Sequence, residues 1–165
     1  MRRAGVLTIS DRCAAGEAED VSGRVLEEAL RQAGYEITRR AVLPDERMLI
    51  ATWLREACDS CDLVLTTGGT GFAPRDVTPE ATRDVIERDA PGVAELLRLE
   101  GLKKTPFAAL SRGVAGIRGR TLIINLPGSP RAALEGIEAL LPLLPHALDL
   151  IQGQTATHPS QGGTQ

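Results

Sequence analysis

The sequence predicts an α/β fold, a mainly parallel sheet with helices on both faces. Three observations carry this. Short apolar, β-branched runs of strand length alternate with segments of helical period. Glycine and proline punctuate the junctions between them. Polar, small-residue stretches follow several of the runs, where the carboxyl ends of parallel strands lie. The chain of 165 residues suits one domain over residues 1–152 with a sizeable core, and 153–165 has almost no apolar content and reads as a disordered tail.

Each element follows in order. Residues 5–9, Gly-Val-Leu-Thr-Ile, read as the first strand and run into Ser10-Asp11-Arg12 and a small-residue loop to Glu19. Asp20-Val21-Ser22-Gly23 opens a helix, with Asp20 as an N-cap or first-turn charge and Val25, Leu26, Ala29, Leu30 and Ala33 at helical spacing. Gly34 ends it. Residues 35–42 alternate as a second strand near an edge. Pro44-Asp45-Glu46 begins the next helix, with Asp45 or Glu46 in its first turn and Leu49, Ile50, Trp53, Leu54 and Ala57 as the buried stripe. Leu63-Val64-Leu65 is a buried strand that breaks into Thr66-Thr67-Gly68-Gly69-Thr70-Gly71.

Beyond that loop, Thr78 reads as an N-cap with Pro79 at the first helical position, and helices are expected over 79–88 and 91–101. The second carries Val93, Leu96, Leu97 and Leu99, a surplus of apolar surface that serves either extra core or a subunit contact. Residues 103–106 form a loop, and 107–112 and 114–117 precede the turn Arg118-Gly119-Arg120. Thr121 opens a clear strand over 121–126, followed by Pro127-Gly128-Ser129-Pro130. A helix over 131–141 is interrupted by Pro142 and Pro145, and a last helix runs over 146–152.

Three glycines in four positions, Gly68, Gly69 and Gly71, permit positive φ and close backbone approach to a ligand. A strand, a Gly/Thr loop, the charged pair Arg75-Asp76 and a helix start present several N–H groups and hydroxyls to one place, which suits a phosphate. No GxxxxGK[ST] or GxGxxG is present, so the loop is of another type. Ser10-Asp11-Arg12, Asp45, Thr66 to Asp76 and Pro127 to Pro130 all follow strands. Their meeting on one sheet rim is the site expectation. The rim carboxylates Asp11, Asp20, Asp45 and Asp76 suit Mg²⁺, a hard cation shared with substrate phosphates. Arg75 either pairs with Asp76 or binds a phosphate, and Ser111-Arg112 is either a further polar patch or a strand edge.

Composition excludes other classes. Aromatics are 2% of residues, which leaves no stacking platform for bases, and a net charge of −3 argues against binding nucleic acid by phosphate neutralisation. No apolar run approaches the roughly 20 residues that span a bilayer, and the first residues lack a signal-peptide pattern, so the expected location is the cytoplasm. The two histidines, His146 and His158, stand in no hydrolase or zinc pattern. Cys58-Asp59-Ser60-Cys61 ends a helical segment rather than opening one, so it and Cys13 read as ordinary cysteines.

Taken in order, the motifs Ser10-Asp11-Arg12, Asp20-x-Ser22-Gly23, Pro44-Asp45-Glu46, Thr66-Thr67-Gly68-Gly69-Thr70-Gly71, Arg75-Asp76-Val77-Thr78-Pro79-Glu80-Ala81-Thr82, Leu110-Ser111-Arg112 and Leu126-Pro127-Gly128-Ser129-Pro130 resemble one family. It is the molybdopterin adenylyltransferases of molybdenum cofactor biosynthesis, the MogA/MoaB group, seen also as the G domain of gephyrin. The resemblance covers residues 6–150. It implies a homotrimer and a reaction in which ATP and molybdopterin, with Mg²⁺, give adenylyl-molybdopterin and pyrophosphate. Hand-over of the product to a molybdenum-insertion protein is implied as well. The family's two acidic residues fall on Asp45 and Asp76, which take catalysis and Mg²⁺ between them. Gly68, Gly69 and Gly71 map to its phosphate loop, with Thr67 and Thr70 as hydroxyl donors. Ser10, Asp11, Arg75, Ser111, Gly128 and Ser129 line the same pocket by analogy. Ser129 is as in MoaB-type members, where several MogA-type proteins carry a longer polar residue. The alternative implied is a non-catalytic molybdopterin-binding or scaffolding trimer of the MoaB type.

Overall fold

The computed structural model describes residues 1–154 and contains one six-stranded sheet. Its strands are β1 (Arg3–Ile9), β2 (Glu36–Leu43), β3 (Leu63–Thr67), β4 (Arg88–Asp89), β5 (Ala115–Arg118) and β6 (Thr121–Leu126), in the order β2-β1-β3-β6-β5-β4. The first four in that order are parallel, and β5 and β4 add antiparallel at one edge. The expected mainly parallel sheet and the edge position of β2 are both present. The expected tail lies, from residue 155 on, outside the described residues.

The pleat sends alternate residues to opposite faces, so fully buried strands read as continuous apolar runs. On one face Val6, Leu63, Leu65, Leu122 and Ile124 pack against α2 (Val21–Gln32), α6 (Pro130–Leu140) and α7 (Leu144–Ile151). On the other, Leu7, Ile9, Val64 and Ile123 pack against α3 (Arg47–Ala57) and α4 (Thr78–Arg83). α5 (Pro91–Leu102) rests on the first face through Val93 and Leu97, while Leu99 points outward at 62% exposure.

The register places the site. Ile9 pairs with Leu43, Thr8 with Thr67, and Thr67 with Leu126. The carboxyl ends of four parallel strands are therefore level, and the chain leaves them at Ser10, Pro44, Gly68 and Pro127 along one rim. Two caps fix the flanking geometry as expected. The Asp20 carboxylate accepts the Gly23 N–H at 3.0 Å at the start of α2, and Gly34, at φ +93°, follows its end. Asp20 also accepts from the Thr8 hydroxyl at 2.8 Å and pairs with Arg40, so β1, β2 and α2 are joined by one polar knot.

Four local expectations are corrected. The helix expected over 79–88 stops at Arg83, because Glu87 and Ala90 hydrogen-bond to Ile117 and Ala115 and turn the chain into β4. Thr78 is the first residue of α4 rather than its cap, and its hydroxyl donates to the Gly68 carbonyl at 2.9 Å. Asp45 precedes α3, whose N-cap is Glu46, so it is no first-turn charge. A four-residue helix α1 (Asp11–Ala14) stands where a loop was expected. Residues 106–110, for which the sequence assigns no element beyond the loop, form a 3₁₀ turn. The three cysteines are free, and burial pushes the Cys58 thiol up to about 11, which suits an inert side chain.

Candidate active site

Gly68 and Gly69 take φ of +101° and +67°, the left-handed region that disfavours a side chain. A Cβ on Gly68 would overlap the Ile9 carbonyl oxygen, and one on Gly69 would lie 3.0 Å from Asp45 Oδ1. Bare backbone is therefore required where β3 passes between β1 and the loop after β2. On the far side, a Gly128 Cβ would stand 3.2 Å from the Gly68 Cα, and the Thr67 hydroxyl donates to the Pro127 carbonyl at 2.6 Å. The glycine loop and the loop after β6 are thus in direct main-chain contact. The Thr67 hydroxyl expected to face a ligand is engaged in that contact instead, on a fully buried side chain.

A buried polar relay holds the glycine loop from beneath. The Asn125 amide donates to the hydroxyls of Thr66 and Thr82, each at 3.0 Å. Thr82 donates to the Thr78 carbonyl at 2.8 Å, and Thr78 to Gly68. The Asn125 oxygen accepts the Val114 N–H at 3.1 Å. Leaving one such buried group unmade costs about 1–3 kcal/mol, so the loop's seat is stiff. Sequence reasoning missed Asn125, although an amide inside the apolar run of β6 was the available signal.

The acidic residues gather at the same rim. The Asp11 N–H donates to Asp45 Oδ2 and the Asp45 N–H to Asp11 Oδ1, both at 2.9 Å. Arg75 grips Asp11 through Nε at 2.6 Å and Nη2 at 3.0 Å, so its partner is Asp11 and not Asp76. Asp76 Oδ2 accepts the Ala73 N–H at 3.0 Å, and a Cβ on Gly71 would come within 2.9 Å of the same oxygen. Burial pushes the Asp45 carboxyl above its ordinary value, and the charges of Asp11 and Asp76 push the same way, against the Asp11 amide and Arg75. The hydrogen bond and charge of Arg75, with the Asp45 amide, hold Asp11 below its ordinary value.

Two cavities meet at this place. One of about 370 Å³ is lined by Ser10, Ser22, Asp45, Gly68 and Thr67, and one of about 540 Å³ by Thr70, Gly71, Ser111, Ser129 and an apolar wall including Leu97, Phe107 and Leu110. Gly69, Asp76 and Gly128 line both. Most of the expected site residues line one cavity or the other, whereas Asp11 and Arg75 line neither and pair with each other at the surface beside Asp45. Ser10 and Ser129 also cap α1 and α6 by accepting from Cys13 and Ala132. The apolar wall was not foreseen, because Phe107 and Leu110 reach the site from a turn with no periodic pattern.

No group of three or more Asp, Glu, His or Cys clusters for a metal among the described residues. Asp45 and Asp76 nevertheless fit Mg²⁺. They are hard oxygen donors on one cavity wall, and the local excess of negative charge is what a cation relieves; Mg²⁺ commonly takes one or two carboxylates and leaves the rest to substrate phosphates.

A level row of parallel-strand ends, a bare-backbone loop before helix α4 and a paired carboxylate set define an α/β protein whose ligand crevice lies at the carboxyl edge of its sheet. Residues 5–146 match the family described as a probable molybdopterin binding domain, and the chain belongs to that family. It is 48% identical over 158 residues to a molybdopterin adenylyltransferase of Helicobacter pylori, across 90% of this chain and 87% of that one. It is also 48% identical to the molybdenum cofactor synthesis protein cinnamon of Drosophila melanogaster, where it matches 25% of the longer chain. The crystal structure of the molybdopterin biosynthesis enzyme MoaB from Thermus thermophilus superposes with a TM-score of 0.88 at 53% identity, over 95% of this chain and all of that one. Among the described residues no helix is long and apolar enough to cross a membrane.

Proposed function

We propose that the protein is a molybdopterin adenylyltransferase of molybdenum cofactor biosynthesis, with ATP and molybdopterin as its substrates. The observation that carries this reading is the shared wall of the two cavities, where Asp76, Gly69 and Gly128 face both. Two ligands that each fill one cavity meet there. The relatives named for this activity match across most of their length.

In the proposed reaction an oxygen of the pterin's terminal phosphate attacks the α-phosphorus of ATP. A new P–O bond forms, the bond to the β-phosphate bridging oxygen breaks, and pyrophosphate leaves with the electron pair. The chain's own work is positioning and charge control. Gly68 N–H is engaged by the Leu126 carbonyl at 3.2 Å, so the amide cradle for phosphate begins at Gly69. Asp76, at the seam, orients the reacting phosphates, and Asp45 faces the smaller cavity beside it. Asp45 and Asp76 would hold Mg²⁺, which when bound supplies neutralisation of the developing phosphate charge. Ser111, Ser129 and Thr70 offer polar contacts in the larger cavity.

The reading includes a cytoplasmic homotrimer that passes its product to a molybdenum-insertion protein. The exposed apolar residues Leu99, Leu102, Phe107 and Leu110 on and beside α5 support an assembly contact. The deciding experiment incubates purified protein with ATP, molybdopterin and Mg²⁺ and follows AMP-linked pterin and pyrophosphate. Asp76→Asn is expected to lower kcat on the order of a hundredfold. Near-normal rates for both Asp45→Asn and Asp76→Asn would remove this mechanism. Pterin binding without nucleotide turnover in the unmutated protein would select the non-catalytic MoaB-type role instead.

A further inference from the structure

Arg112 lies behind the glycine loop and makes an unusual set of contacts. Its own N–H donates to the Thr70 carbonyl at 2.7 Å. Its guanidinium donates to the Gly71 carbonyl through Nε at 2.8 Å and to the Asp76 carbonyl through Nη2 at 2.8 Å. Nη1 reaches Glu80 Oε1 at 2.6 Å, on the first turns of α4. Four anchor points between residues 70 and 80 thus converge on one residue that is 32 positions distant from Glu80 in sequence. Arg98 of α5 holds the carbonyls flanking Arg112, donating to Ser111 at 3.3 Å and Gly113 at 2.9 Å.

We infer that Arg112 is a positioning residue for phosphoryl transfer, setting the loop that carries Gly71 and Asp76 at the wall between the two cavities. The inference rests on the adenylyltransferase reading. Its physical basis is the planar fork of the guanidinium, which fixes two carbonyls and a carboxylate at defined angles. Those carbonyls carry partial negative charge and are repelled by phosphate. Turned to the guanidinium, they leave the loop free to present amides. Glu80 balances the cation, so Arg112 acts on the loop and not as a ligand for the phosphates. Asp76 gains doubly, since its carbonyl is held by Arg112 and its carboxylate by the Ala73 amide. A displacement of the reacting geometry by about 1 Å is enough to cost on the order of a hundredfold in rate.

The test is Arg112→Lys, which keeps the charge near Glu80 and loses the fork. Two quantities are read on the full chain: kcat and KM for ATP in the adenylylation assay, and hydrogen exchange of the amides over 70–76. The expected result is a fall in kcat of at least about tenfold, a KM for ATP within about threefold of the unmutated value, and exchange of those amides faster by about tenfold. Unchanged exchange and unchanged kcat would overturn the inference. So would a raised KM at full kcat, because that pattern belongs to a direct substrate ligand. If Arg112→Lys fails to fold, Glu80→Gln carries the test. Loss of the anion that sets the guanidinium's angle is expected to speed exchange of the same amides and lower kcat, and no change in either would overturn it. Absence of turnover in the unmutated protein ends the reading of the reaction alone. The exchange result then decides whether Arg112 holds the loop.

Discussion

Asp11 and Asp45, 34 residues apart, each donate a main-chain amide to the other's carboxylate at 2.9 Å. The two strand ends that carry them are thereby fastened by a reciprocal clasp. The clasp places two like charges side by side, and only one of them has a cation. Arg75 neutralises Asp11, and Asp45 is left with the burden of burial and of its acidic neighbours.

That asymmetry predicts a pH effect. In the metal-free protein the Asp45 carboxyl takes up its proton above the ordinary carboxylate range. Asp11→Asn keeps the backbone amide that Asp45 accepts and deletes one of the charges that push Asp45 upward. Protonation of Asp45 is expected to move to lower pH, with the protein folded. An NMR titration of the Asp45 carboxyl in the metal-free variant checks this, and an upward shift sinks it.

Asp45→Asn separates activity from stability. A carboxyl raised in the folded state binds protons more readily there than in the unfolded chain. Its contribution to stability is therefore full below the ordinary value near pH 4 and is lost as pH rises through the raised one. At neutral pH the unmutated, metal-free protein carries this penalty and the asparagine variant does not. The variant is expected to melt higher at pH 7, to lose that advantage below about pH 4, and to turn over on the order of a hundredfold more slowly. Mg²⁺ should raise the melting temperature of the unmutated protein more than that of the variant. Thermal melts at pH 4 and pH 7, with and without Mg²⁺, test all three points, and a variant less stable at pH 7 contradicts the argument.

The glycines divide by what each leaves room for. Gly68 has a positive φ and no space beside the Ile9 carbonyl, so Gly68→Ala is expected to destabilise the fold by at least about 2 kcal/mol. Gly71 has no such φ, and the atom that a Cβ would crowd is Asp76 Oδ2, at 2.9 Å. Gly71→Ala is expected to unfold in urea much as the unmutated protein does while its kcat falls at least about tenfold. Equal loss of stability in both variants would contradict the distinction.

Much of this was legible in the sequence, for physical reasons that differ by element. The parallel strands announced themselves because strands buried on both faces need continuous apolar runs, as in Leu63-Val64-Leu65 and Leu122-Ile123-Ile124. The rim was legible because each strand end carries residues that only a turn or a ligand explains. The end of α4 was not, since Ala81 and Val85 keep helical spacing while the chain has already turned toward β4. Thr78 before proline has the look of a cap, whereas it is the first residue of α4 and its hydroxyl serves the Gly68 carbonyl. Arg112 stands within a motif, yet no spacing rule connects it to Gly71, 41 residues earlier.

The touching of Gly68 and Gly128, with Thr67 bonded across to Pro127, has an evolutionary and engineering corollary. The floor of the pocket here is paved with peptide groups, so this part of its contour is set by backbone conformation. The two segments form one plate and must be transplanted together. A chimera that imports either one alone from a distant homologue inherits a mismatched seam under its substrates.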